Sequence, residues 1–454
     1  MALSRRFTVL GLSRRPRAAR PLSGVSAWRS ADLVSRSEAE EALKGARFAV
    51  FLVHSLGPSA GLPAAGFADL DLLAADNFAR AAASAGVEQI VFLSGLSGAG
   101  RHQASRLEVE RALGAHGVPV TTVRSGLIVG RGGSSFEITN RLVDRLPFML
   151  LPAWTRTATQ PVALADVVRE LADLVGRREC YRKAFDVGGA EIMSFRTMLE
   201  RTAAVKGRTL RAWDVPFAAP RLSTFWVSLI TGAPQALVAP LVESLGAPTL
   251  ATRQRLQDAA KRSRSTFDDA VAAALLPRSR RRERAGFPGT EPSEHFDVRA
   301  LQRVSLPPGA DAGWLAARLT EWLSRQRWPL VTVTCEGRSS IRVVLDRGAV
   351  ELLRFERVAR EDDAARVVFR LAGGLLWRKG LRSARLEIRA FPGEGVALVG
   401  LHDFAPRLPW ALYRAVQVLL DQGVMRAFAR ASHSRRDVGQ VPEADPLEQI
   451  DAAQ

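Results

Sequence analysis

The chain has 454 residues, 47% apolar and 24% charged, which excludes a disordered or fibrous polypeptide and leaves room for two or three domains. Its formal charge is +18, yet only five of the 64 basic residues are lysine and the arginines run along the whole length. That spread argues for compositional bias over a built nucleic-acid face, and no recognised nucleic-acid module is present. Cys180 and Cys335 lie far apart without partner spacing, which excludes a disulfide framework or a zinc knuckle and fits a reducing, cytoplasmic setting.

In chain order, "MALSRRFTVL" has arginines but no apolar core of the length a signal peptide needs. The short apolar run Phe7 to Leu12 ends in Ser13-Arg14-Arg15-Pro16, a strand closing on basic residues. "RFAVFLVHSL" (47–56) is a β-rich run ending at Ser55, before a Gly/Pro loop. "LDLLAADNFARAAASAG" (70–86) is helical, with Leu70, Leu73, Asn77 and Ala81 on one face and Gly86 as its stop. "VEQIVFLSGLS" (87–97) is a second buried strand, "ASRLEVERALGAHG" another helix ending at glycine, and "VPVTTVRSGLIVG" (118–130) a third strand. Alternation of this kind predicts a doubly wound parallel α/β sheet.

Residues 191–290 are less regular. A helix is expected near 194–205, then an apolar stretch, 225–245, interrupted by Gly232, Pro234 and Pro240. An integral membrane span needs roughly 20 continuous apolar residues, so two short buried helices are expected there instead. The basic cluster "PRSRRRERAG" (277–286) reads as a solvated linker, or else as a patch for an anionic surface. From Phe296 the pattern becomes strand, helix (312–325), about five strands, and a long apolar helix (410–431), an α+β domain. The domains expected are 1–215 (Rossmann-like), 216–295 (helical connector and basic linker), 296–435 (α+β) and 436–454 (a disordered tail).

Ligands of doubly wound sheets sit at the carboxyl ends of the strands. Here those ends read Ser13-Arg14-Arg15, Val53-His54-Ser55, Ser94-Gly95-Leu96 and Arg124-Ser125-Gly126, small and polar as a crevice requires. "DNFARAAASAGVEQIVFLSGL", "SRLEVERAL", "VPVTTVRSGLIVGRGGSSFE" and "QPVALADVV" together resemble the atypical short-chain dehydrogenase/reductases, the NmrA-like and epimerase-like branch, over residues 7–190. The resemblance implies NADP as cofactor, with NAD the other candidate. Arg14, with Arg15 beside it, would face the adenosine ribose, where an arginine pairs with a 2′-phosphate. Asp32 and Leu33 match the adenine-contacting Asp-Leu element, and Val53, His54 and Ser55 the strand end beside adenine and pyrophosphate. Asn77 matches an asparagine backing the site, or is a buried polar group bonded to nearby backbone. Arg124 would hold an acidic substrate, or anchor the helix of residues 137–146 by a salt bridge.

Two departures from the family pattern matter. The glycine-rich phosphate loop after the first strand is missing, and that strand is central in the usual order. The expectation is a chain begun too late in reading the gene, with a degenerate protein as the alternative. Where the family places tyrosine four residues before lysine, this sequence has His102 and Arg106, also on one helix face. Ser94 matches the carbonyl-holding serine; His102 would donate a proton with Arg106 favouring its neutral form, or is a surface or capping residue. "LPAWTRTATQPVALADV" (151–167) resembles the family's substrate-lobe hairpin, in which Asp166 is explained as a helix cap.

The second domain's order of elements looks like a helix-grip domain that holds hydrophobic ligands. Leu412, Val416, Leu419, Leu420, Val424 and Phe428 are core, or cavity lining if the sheet curves away. His402 and Asp403 end the last strand, where local hydrogen bonds and capping outweigh a metal or acid–base pair. The function that the resemblance implies is an NAD(P)-dependent oxidoreductase of the atypical short-chain type, with a degenerate Tyr-x-x-x-Lys site, acting on an apolar small molecule. The alternative is a non-catalytic NADP(H) sensor or assembly factor with a hydrophobic-ligand domain. A homodimer could form through an exposed helix pair of the α/β half.

Overall fold

The computed structural model describes residues 2–14, 24–54, 66–96, 101–146, 148–215, 220–244, 246–251, 264–276, 298–326, 328, 331–345, 350–378, 384–408 and 418–433. Two compact units emerge, one from Met1–Gly57 with Leu70–Glu291, the other from Pro58–Asp69 with Pro292–Gln454.

In the first unit, β1 (Leu10–Ser13) pairs in parallel with β2 (Ala27–Ser30), which leads to helix α1 (Arg36–Leu43). A four-stranded parallel sheet follows, in the order β10-β5-β4-β3, from β3 (Phe48–Phe51), β4 (Gln89–Gly95), β5 (Val120–Ser125) and β10 (Ala184–Val187). Ile90, Val91 and Phe92 of β4 are successive yet fully buried, so both sheet faces are covered, as a run without alternation requires. Helices α2 (Phe67–Ser84) and α3 (Arg101–Gly114) are the crossovers. Every residue of α2 from Leu70 to Ala79 is buried, the mark of a helix packed on several sides. Gly86 stops it at φ +70°, with its N–H on the Ala83 carbonyl (3.1 Å) and the Val87 N–H on that of Ala82 (2.9 Å). This paired closure needs a left-handed residue, hence glycine.

Among the described residues β1 pairs only with β2, and β3 only with β4. In the doubly wound order the phosphate-loop strand lies between these two. The unit is thus Rossmann-like, with no strand paired between β1 and β3 among the described residues. Phe7 packs edge-on against Phe48 at the start of β3, ring centres 5.6 Å apart, and Arg6 donates to the carbonyls of Ala172 and Val175.

The rest of this unit is a second lobe of short elements. The third strand expected over 118–130 is broken: β5 ends at Ser125, and Ile128–Val129 forms a separate β6. Helix α4 (Ser134–Arg145) leads to β7 (Phe148–Pro152), then β8 (Ala158–Thr159), β9 (Val162–Ala163) and helix α5 (Leu164–Leu174). The expected hairpin is corrected. Strand β9 pairs with β6, and β8 with β11 (Met193–Ser194), so neighbours in sequence are not partners. Asp166 is not the cap either; Ala163 holds that position, and the Asp166 carboxylate pairs with Arg169 and accepts the Ser265 N–H at 3.0 Å. Helix α6 (Phe195–Val205) is capped by Ser194, whose hydroxyl accepts from the Thr197 N–H. Strand β12 (Arg211–Val215) pairs with β7. Helices α7 (Pro220–Thr231), α8 (Gln235–Ser244) and α9 (Phe267–Leu275) follow. Val227, Val238 and Val271 share one core with Phe136, Met198 and Leu199, so the described part of 216–295 is structural body of this unit. No helix among the described residues is long and apolar enough to cross a membrane.

The second unit is a seven-stranded antiparallel sheet in the order β13-β19-β18-β17-β16-β15-β14. Its strands are β13 (Val298–Ser305), β14 (Val331–Glu336), β15 (Ser340–Leu345), β16 (Val350–Arg357), β17 (Arg366–Gly373), β18 (Arg385–Phe391) and β19 (Val396–Phe404). Six strands therefore follow helix α10 (Ala312–Arg325), one more than the pattern suggested, because "SARLEIRAF" and "VALVGLHDF" are separate strands of one hairpin. The first and last strands meet at the register Leu301–Gly400. Leu315, Leu319, Val367, Phe369, Ile388 and Val399 form the core on one face of the sheet. Of the long terminal helix, α11 (Val418–His433) is described; Phe428 is fully buried, 5.5 Å from the Trp322 ring. Phe428 is thus core. Leu412 and Val416, and the side chains of Leu419 and Leu420, lie outside the described residues.

The other sheet face holds a buried charge cluster. Glu387 accepts from Arg366 (3.0 and 3.3 Å), Arg385 (3.0 Å) and Arg389 (2.7 Å), and Arg385 also donates to Asp403 at 2.8 Å. Burial pushes the Glu387 carboxyl up, but Arg389, Arg385, His402 and Arg366 together hold it well below the usual carboxylate range. Asp403 is thereby an ion-pair member, at φ +56°, and no metal-binding group of His, Cys, Asp or Glu exists among the described residues.

Candidate functional site

Because β3, β4, β5 and β10 are parallel, their carboxyl ends share one edge. The register sets Ser94 beside Arg124 and Gly95 beside Ser125. Val53 and His54 follow β3 at the same edge, and α2 and α3 both begin there, since each crossover leaves a strand's carboxyl end. The edge therefore collects strand tips and helix starts, the usual seat for a nucleotide. In the paired strands β1 and β2, Ser13 is in register with Ser30, and Arg14 follows directly. Arg15 and Ser55 lie outside the described residues.

The segment after β2 is tied down by backbone-directed bonds. The Asp32 carboxylate accepts the Val34 N–H (3.1 Å), and the Asp32 N–H donates to Glu38 (2.8 Å). Asn77, 1% exposed, donates from Nδ2 to the carbonyls of Leu33 and Val34, 3.0 Å each. Asn77 thus does what a buried amide does, and through those bonds holds the Asp32-Leu33 element in place.

Beneath the edge lies an arrangement the sequence did not announce. His54 Nδ1 is 2.9 Å from Oδ2 of Asp71, a carboxylate 2% exposed. Arg106 brings Nη1 to 3.7 Å from the same oxygen and donates from Nη2 to the Leu93 carbonyl at 2.6 Å. Its guanidinium stacks 4.7 Å from the Phe92 ring centre. Burial lowers the Arg106 pKa, with Asp71 and Glu110 opposing. Arg106 is therefore a buried anchor for α2, α3 and β4. His102 stands one position into α3, and its side chain lies outside the described residues.

Arg124 donates from Nη2 to both carboxylate oxygens of Glu110 in α3, 3.0 and 3.1 Å, so this ion pair is not with the helix of residues 137–146. Ser94 is buried at 7% exposure. A Cβ on Gly95 would stand 3.3 Å from the Gln103 amide, so glycine here makes room for α3. Asp71 and Gln103 escaped sequence reading. An acidic residue early in a helix looks like an ordinary dipole partner, and nothing local ties it to a histidine 17 positions back.

No protein-family model matches the chain. A stretch of 136 residues is 33% identical to the auxiliary protein GraX of Staphylococcus aureus, covering 30% of this chain and 44% of that protein, less than half of its length. Among solved structures, the Citrobacter sp. triphenylmethane reductase complexed with NADP(H) is 16% identical, covers 60% of this chain and 94% of its own, and superposes with a TM-score of 0.47. The NADPH-dependent quinone oxidoreductase of Escherichia coli is also 16% identical, over 60% and 93%, with a TM-score of 0.47. On its own strand order and parallel register, the first unit of this chain has the doubly wound, Rossmann-like fold.

Proposed function

We propose that the α/β unit binds NADP(H) along the carboxyl edge of its strands and serves as an oxidoreductase on an apolar small molecule. The observation that supports this is the gathering of Ser94, Gly95, Ser125 and His54 on one edge, with Arg14 at the tip of β1. Small side chains leave space for a dinucleotide, and Arg14, with Arg15 next in sequence, offers a guanidinium to a 2′-phosphate. Asp32 and Leu33, held by Asn77, would meet the adenine. Ser94 would hold a substrate carbonyl.

The test is a fluorescence titration of the full chain with NADPH and NADH. NADPH binds more tightly, and Arg14→Ala weakens NADPH about tenfold while leaving NADH nearly unchanged, the loss of one charged hydrogen-bonding pair. Absence of nucleotide binding ends this reading. A non-catalytic NADP(H) sensor is the second reading, favoured by the burial of Arg106 where a lysine would assist an acid; NADPH binding without carbonyl turnover would select it.

A further inference from the structure

We propose that His54, oriented by Asp71, is the proton donor of the α/β unit, standing in for the tyrosine that the sequence lacks. The inference rests on the NADP(H) reading above and deepens it. The His54 side chain is 30% exposed, whereas Asp71 and Arg106 behind it are 2% and 7% exposed. The three form a graded series from the edge inward: a titratable ring, a carboxylate that fixes it, and a guanidinium that stabilises the carboxylate. Since Asp71 meets Nδ1, the ring keeps a proton on that nitrogen and exchanges protons with a ligand through Nε2. Arg106 is held in turn by the Leu93 carbonyl and the Phe92 ring, so the carboxylate cannot drift without disturbing β4.

Among the described side chains at this edge, Ser94 and Arg124 are poorer donors. Ser94 is buried and has no low-lying titration, and Arg124 is engaged by both oxygens of Glu110 and does not deprotonate. A second pair, His116 with Asp76 at 2.8 Å, gives an internal contrast. There Nε2 is the bonded nitrogen, Asp76 also binds Arg80, and His116 lies between α3 and β5, at the amino edge of the sheet. The same chemical pair thus occurs once at the ligand edge and once away from it.

The step balances. Reduced nicotinamide, when bound, would supply a hydride with its electron pair to the substrate carbonyl carbon. The C=O π pair moves to oxygen, which takes the proton from His54 Nε2. The products are the alcohol, oxidised NADP and neutral His54, which regains a proton from water. Asp71 is a positioning residue, and Arg106 acts through it.

The experiment uses the full chain with NADPH and phenanthrenequinone and benzaldehyde as carbonyl probes. Wild type, His54→Gln, Asp71→Asn and His116→Gln are compared for NADPH affinity and for kcat across pH. Among the described residues, the charged groups that bear on His54 include Asp71 from α2 and, behind it, Arg106 from α3. The expected result is a fall in kcat of about 100-fold or more in His54→Gln, larger than any accompanying loss of NADPH affinity. Wild type and His116→Gln share a rate that declines as pH rises. His54→Gln loses that decline, and Asp71→Asn lowers kcat, with Asp71→Glu partly restoring it. A His54→Gln protein with wild-type kcat and pH profile overturns the proposal, as does wild type that binds NADPH and reduces neither probe; the binding reading survives both. Failure of wild type to bind NADPH removes both.

Discussion

Glu387→Gln is the sharpest test of how the second unit is held together. The substitution keeps the volume but removes the one charge that Arg366, Arg385 and Arg389 all face. Arg389 is 1% exposed and Arg366 6%, so their cations would remain buried without this carboxylate. Breaking such a pair from one side costs about 3–5 kcal/mol. Amides of β17, β18 and β19 that exchange through global opening of the unit should then exchange about a hundred- to several-thousandfold faster, at roughly 1.4 kcal/mol per tenfold. Hydrogen-exchange mass spectrometry of the full chain reads this directly. The pH dependence has a definite sign. A carboxyl whose folded pKa is depressed stabilises the fold above its unfolded value of about 4.3, and that stability is lost as pH falls toward the folded value. Wild type should therefore lose protection below about pH 4 and Glu387→Gln should not show that component. Exchange within fivefold of wild type at neutral pH, or an identical acid response, would refute the reasoning. Replacing Arg366, Glu387 and Arg389 together by Met, Leu and Met should recover much of the loss, since the buried cations then leave with their carboxylate and Arg385 keeps Asp403.

Other substitutions probe other parts of the molecule. Phe369→Ala, at a fully buried position between sheet and helix, should destabilise the second unit by about 3–5 kcal/mol in a urea titration; a shift under about 1 kcal/mol would mean the core collapses onto the gap. Asn77→Ala strands the Leu33 and Val34 carbonyls, costing about 1–3 kcal/mol, and should raise exchange at 31–35 more than elsewhere in the unit. Gly189→Ala would place a methyl 1.9 Å from the Pro161 carbonyl oxygen, a clash with backbone that no rotamer relieves; a thermal midpoint lowered by several degrees is expected, and an unchanged one would contradict the packing.

Much of this fold is written locally. Strand β4 is an apolar run buried on both faces, β5 is buried along its whole length, and Gly86 marks where α2 must stop. The two-residue strands β6, β8, β9 and β11 left no periodic trace, because so short a segment takes its pairing from tertiary context. The charged positions of β17 and β18 are a different case. Alternation distinguishes two faces of a sheet but does not say that the charged one meets water, and Arg366, Glu387 and Arg389 are all buried. At the candidate site, Arg106 was legible as a residue one turn from His102, yet its partners came from β4 and α2, far away in sequence. Pairings across crossovers are set by three-dimensional closure, which spacing along one helix cannot disclose.

The closing register of the second unit has a consequence for how the protein is made. Leu301 meets Gly400, so β13 leaves the ribosome about a hundred residues before the strand that completes it. At about 5–20 residues per second, that leaves Leu301 and Val304, both buried once the sheet closes, exposed for several seconds or longer. Closing so long a loop costs about 4 kcal/mol in chain entropy, from the logarithmic dependence on length. Assembly of this half therefore waits on its synthesis, and a nascent chain stalled before residue 396 would offer chaperones an unmatched apolar strand.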